Sequence, residues 1–110
     1  MSNFDHIMEQ IRHFRDERDW AQFHTSKDLA LAISIEAAEL LELFLWKGDE
    51  GANHDKIKEE LADILTFSLL LADKHGFDPG RIIEEKLAIN RAKYPVSKAK
   101  GSAKKYTELS

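Results

Sequence analysis

The chain has 110 residues, 43% of them hydrophobic and 33% charged, with a formal net charge of −4. That balance belongs to a globular chain with a single core, and it argues against disorder and against a general binder of polymeric nucleic acid, which carries a basic footprint. Cysteine is absent, which excludes disulfides and thiolate metal sites. The opening "MSNFDHIMEQ" mixes acids with apolar residues, so no secretory signal is expected, and no oily stretch is long enough to span a membrane. The expected location is the cytoplasm.

In chain order, Phe4, Ile7, Met8, Ile11 and Phe14 recur at helical spacing and predict a first helix starting after Ser2 or Asn3. A second follows Thr25 or Ser26, either of them a good N-cap, and runs to about Lys47 with Gly48 as its stop. It is apolar nearly all round, so it must be covered on more than one side, which favours oligomerisation. After the polar "GDEGANHD", Asn53 or Asp55 caps a third helix running to about His75 and ended by Gly76. Asp78 and Pro79 read as N-cap and N1 of a fourth, which runs to about Tyr94 before Pro95. No strand-like alternation and no internal repeat is found. The predicted fold is all-α, a four-helix bundle over residues 1–95 completed by dimerisation or tetramerisation. Residues 96–110 form a lysine-rich tail whose "KYTEL" can dock.

Acids interrupt the oiliest helices. Glu36 and Glu39 stand three apart in "ISIEAAELLELFLW", about 60° apart on the helix, on a stripe with Leu29, Ala32, Leu40 and Leu43. Glu60 and Asp63 repeat the pattern on the third helix beside Ile64, Phe67, Leu70 and Leu71. Glu42 points elsewhere, and Glu59 aligns with Ala62, Thr66 and Asp73 on an expected solvent side. One such pair is a common surface feature. Two pairs on apolar stripes pose a physical problem, because buried carboxylates must neutralise, pair with cations or bind metal. An all-oxygen set suits a hard cation such as Mg²⁺, which leaves room for water and substrate phosphates. A di-iron bundle needs Glu-x-x-His pairs, and none of the five histidines stands three after an acid on these helices.

On the fourth helix Lys86, Asn90 and Tyr94 fall in one column with Lys93 to one side, a set suited to polyphosphate or, more blandly, to a solvated face. Trp20, Phe23, His24 and Trp46 flank the second helix. They can line a slot for a flat ring or simply cover the core.

Together these segments resemble the MazG-like superfamily of all-α nucleoside triphosphate pyrophosphohydrolases, whose mark is Glu-x-x-Glu followed by Glu-x-x-Asp. "RDWAQFHT", "ISIEAAELLELFLWK", "EELADIL", "INRAKYP" and "KKYTEL" resemble its dCTP pyrophosphatase branch, in order and over nearly the whole chain. The resemblance implies Mg²⁺-dependent cleavage of a nucleoside triphosphate between the α and β phosphates, giving a monophosphate and pyrophosphate. It implies metal and catalytic roles for Glu36, Glu39, Glu60 and Asp63. It also implies phosphate contacts from Lys86 and Asn90, a base pocket using Trp20, His24 and Trp46, and a dimer or dimer of dimers that clears particular deoxynucleotides. Phe67 departs from the pattern, which has tyrosine there, and leaves base and sugar choice open. The alternatives are a non-catalytic nucleotide-binding or interaction module on the same bundle, and a relative acting on phosphoribosyl-ATP.

Overall fold

The computed structural model describes residues 3–109, and all regular structure among them is helical. The five helices are α1 (Asn3–Glu17), α2 (Ser26–Glu42), α3 (His54–Lys74), α4 (Pro79–Lys93) and the short α5 (Val96–Ala99). The chain divides between Phe77 and Asp78 into two compact units. No helix among the described residues is long and apolar enough to cross a membrane.

Local chemistry explains most boundaries. Thr25 is the N-cap of α2, its hydroxyl accepting from the Asp28 amide at 3.0 Å. Asn53 caps α3, its side-chain oxygen accepting from the amides of Asp55 and Lys56. At the other end of α3 the amides of Gly76 and Phe77 reach back to the carbonyls of Asp73 and Ala72, with Gly76 at φ +70°. This paired return satisfies the last carbonyls and needs a left-handed residue, which glycine supplies without a Cβ clash. Asp78 accepts from the Gly80 amide and Pro79 opens α4. Ser2 lies outside the described residues, and α1 begins at Asn3.

The end of α2 differs from expectation. The helix stops at Glu42, and residues 43–47 tighten into turns in which the amides of Leu43, Phe44, Leu45 and Lys47 reach three residues back. Trp46, at φ +62°, makes the left-handed turn, while Gly48 is extended. The predicted stop at Gly48 is thus corrected: an indole-bearing residue takes the conformation that glycine was expected to take.

In the first unit α2 runs antiparallel along α3, tied where it starts and α3 ends by a 2.9 Å bond between Ser26 Oγ and His75 Nε2. The α1 helix packs on α3 as well. Met8, Leu29, Leu70 and Ala72 are the buried apolar residues of this unit. Leu31, Ile35, Leu41 and Leu45 on and just after α2 remain about half exposed. Among the described residues of this unit, α2 is covered along α3 and leaves these side chains half exposed.

The second unit holds α4 and the segment after it. The lysine-rich segment folds back, with the Tyr106 ring edge-on to Tyr94 at 6.1 Å and Lys93 Nζ 4.7 Å above the Tyr106 ring. The "KYTEL" end thus docks on the last turn of α4.

Candidate functional site

The caps and the antiparallel pairing set the acidic positions of α2 and α3 against one another. Glu36, Glu60 and Asp63 each present a carboxylate oxygen, and the three oxygens lie within 4.8 Å of one another. Glu36 and Glu60 are half-buried and Asp63 is exposed. Glu39 is exposed too, yet it stays close enough to act on Glu36.

The electrostatics of this cluster are unfavourable to its own charge. Hydrogen bonding to Glu60, then burial, then the hydrogen bond and charge of Glu39 and the charge of Asp63 push the Glu36 carboxyl up to about 7. Oε2 of Glu36 and Oε2 of Glu60 are buried without a hydrogen-bond partner among the described residues. With both groups ionised, neither oxygen has a donor to accept from. A proton shared between them or a cation satisfies both. These stranded oxygens, in an all-oxygen donor set, fit a hard divalent cation.

Beside the cluster lies a cavity of about 230 Å³. Asp63 forms part of its wall, with Ile11, Phe14 and Arg15 from α1, Trp20 and His24 from the connection, and Thr66, Phe67 and Leu70 from α3. Asp63 and Thr66 also border an adjoining groove along Ile7 and Gln10. Trp20 is held edge-on to Phe14 at 5.7 Å, and the Arg18 guanidinium sits 3.8 Å over the Phe14 ring. Burial, and then the charges of Arg15 and Lys74, hold His24 below the ordinary histidine range, so its imidazole is neutral near pH 7. Its Nδ1 is buried and unpartnered among the described residues.

The structure thus brings together Glu36, Glu60, Asp63, Trp20 and His24, with Glu39 alongside. Phe23 sits in the 3₁₀ turn Ala21–Phe23 at 63% exposure, and Trp46 is fully exposed; neither lines the cavity of the single chain. Lys86, Asn90, Lys93 and Tyr94 belong to the second unit, where Lys93 and Tyr94 meet Tyr106. The expected solvent side of α3 is corrected: Thr66 lines the cavity, and Asp73 is half-buried and paired with Arg12 and Arg15. The reason is that α1 packs over that face. Ile11, Phe14 and Arg15 were missed as cavity residues: the first two read as a core stripe, and Arg15 carried no signal in the sequence.

The MazG-like family profile matches residues 31–109. The chain is 40% identical to dCTP pyrophosphatase 1 of Rattus norvegicus and 40% identical to that of Homo sapiens, in each case over 87% of this chain and 61% of the relative. It therefore spans about three-fifths of the length of the curated relatives it matches. A crystal structure of a pyrophosphatase from Archaeoglobus fulgidus superposes with a TM-score of 0.81 at 36% identity, covering 86% of this chain and 94% of that one. The paired acids of α2 and α3, the all-helical fold that presents them and these matches agree: the chain belongs to the MazG-like family.

Proposed function

We propose that this protein is a Mg²⁺-dependent nucleoside triphosphate pyrophosphohydrolase that splits a dCTP-like deoxynucleotide between its α and β phosphates. The observation that carries this reading is the trio Glu36, Glu60 and Asp63, in which Glu36 and Glu60 have stranded buried oxygens and Asp63 also lines an aromatic cavity. A triphosphate is the kind of ligand that needs both halves, a cation site for its anionic end and an apolar slot for its base. The name of the curated relatives, dCTP pyrophosphatase 1, favours that substrate class.

Glu36, Glu60 and Asp63, with Glu39, would hold the metal. Bound there, Mg²⁺ would supply charge stabilisation for the phosphates and acidify a water molecule. Glu39, exposed beside Glu36, would orient the attacking water and take up its proton. Trp20 stacks on the base, with His24 and Phe67 completing the slot. Lys86, Asn90 and Lys93 are proposed to offset charge on the leaving pyrophosphate. The half-exposed Leu31, Ile35, Leu41 and Leu45 support assembly into a dimer or dimer of dimers. Clearance of unwanted deoxynucleotides is the role such an activity serves.

Product analysis with each common dNTP and NTP, with Mg²⁺ and with EDTA, tests the reading, using Glu39→Gln as the control. Monophosphate plus pyrophosphate, lost with EDTA and in the variant, is the expected result. Binding without turnover would replace the enzyme with a nucleotide-binding module.

A further inference from the structure

We infer that Asp73 is a positioning residue: through Arg12 and Arg15 it fixes α1 as one wall of the aromatic cavity, and so sets how tightly the site takes the base-bearing end of its ligand. The inference rests on the reading of that cavity given under Proposed function. Asp73 lies on α3, ten residues beyond Asp63, and is not itself a cavity residue.

Apolar packing holds α1 only in part, with Phe4 and Ile11 half-buried. Met8 is its buried residue, while Ile7 and Phe14 are 42% and 50% exposed. The clamp itself is polar. Nε and Nη2 of Arg12 donate to Asp73 Oδ1 at 3.0 and 2.6 Å, and Arg15 Nη1 stands 3.5 Å from Oδ2. One carboxylate therefore grips two positions about one turn apart, with a different oxygen for each. Two grips spaced along a helix fix its rotation as well as its distance. The Asp73 side chain is 20% exposed, which keeps the pairing from being fully screened by water.

The gripped residues adjoin the wall, and Arg15 is itself part of it. Ile11 and Phe14 line the cavity, and Arg12 and Arg15 directly follow them in sequence. A slip of the clamp rotates Ile11 and Phe14, and Phe14 carries Trp20 on its edge. Arg12 does not line the cavity, so removing its charge alters the wall without altering its chemistry.

The test compares wild type with Arg12→Gln and Asp73→Asn in two assays. The first is steady-state turnover of deoxynucleoside triphosphates with Mg²⁺. The second is acrylamide quenching of Trp20, read in a Trp46→Phe background so that one of the two tryptophans remains. Both variants are expected to raise KM about five-fold while kcat stays within about two-fold, as for loss of a part-exposed ion pair that supports binding rather than the transition state. Trp20 quenching should rise while helical circular dichroism stays constant. An unchanged KM and unchanged quenching would overturn the inference, and so would a joint fall in kcat and helicity, which marks general loss of fold. If wild type turns over no nucleotide, the functional reading fails on its own. The quenching assay then decides the clamp, with higher quenching in both variants supporting it and unchanged quenching overturning it.

Discussion

Helix α3 carries carboxylates in both halves, and the two halves treat them in opposite ways. Near the C-terminus, Asp73 meets two guanidinium groups brought by α1, and the Arg12 hydrogen bond leads in holding its carboxyl below the ordinary range. In its N-terminal half, Glu60 and Asp63 meet another acid, Glu36, whose carboxyl is pushed up. The residue types are alike, and burial is not the main difference. What differs is whether the fold itself supplies the positive charge. Where it does, the carboxylate is an anchor. Where a fold gathers acids and leaves their oxygens without donors, the missing charge has to come from outside, as a proton or a cation.

The largest expected effect breaks this contrast at its acidic end. Glu60→Gln or Glu36→Gln should lower kcat by about 10²-fold or more, since several kcal/mol of charge stabilisation depends on an intact cation site. Turnover near that of wild type at saturating Mg²⁺ would show that the cluster is not the reactive centre. The aromatic slot comes next. Trp20→Ala should raise KM by roughly ten-fold, within the range of about 1–3 kcal/mol for stacking on a base, and leave kcat near wild type.

The pH dependence of stability separates the two halves by sign. Glu36 has an ordinary value of 4.5 and a folded value of about 7. Between those values the folded chain holds a proton that the unfolded chain has released, so in EDTA stability falls as pH rises through this window and levels off above it. Glu36→Gln should flatten that limb of a plot of Tm against pH. Excess Mg²⁺ competes with the proton, so its stabilising shift in Tm should be larger at pH 8 than at pH 5.5. Equal shifts at both values would place the cation elsewhere.

Asp73 behaves oppositely. Its folded carboxyl lies below the ordinary 3.8, so its contribution is present above that value and is lost as pH falls through the folded one. This is the smallest of the expected effects. Asp73→Asn should cost about 1 kcal/mol at neutral pH and make the acid limb shallower. A variant whose acid limb matches wild type would mean that the Arg12 and Arg15 pairing contributes nothing to folding.

Helix starts were legible because caps are local. Thr25, Asn53 and Asp78 each satisfy the amides of the turn that follows, and nothing distant is needed to see it. Gly76 was legible for the same reason. The end of α2 was not, because the turn at Trp46 runs against the intrinsic preference for glycine at positive φ. Trp20 and His24 were legible as aromatic groups flanking an acid-bearing helix, but so were Phe23 and Trp46. Only the packing of the connection against α1 and α3 separated those that line the cavity from those that do not.

From the sequence alone came the four main helices, the four acids of α2 and α3 as a set, and their conflict with an apolar surrounding. Each of these follows from spacing along one helix, where the period of the backbone decides which side chains share a face. Tertiary structure decided which three carboxylates converge within 4.8 Å and which acid of α3 would be answered by arginine. It also turned α1 from a core stripe into a cavity wall. Those outcomes depend on how one helix rotates against another, and that rotation is settled by contacts between residues far apart in the chain.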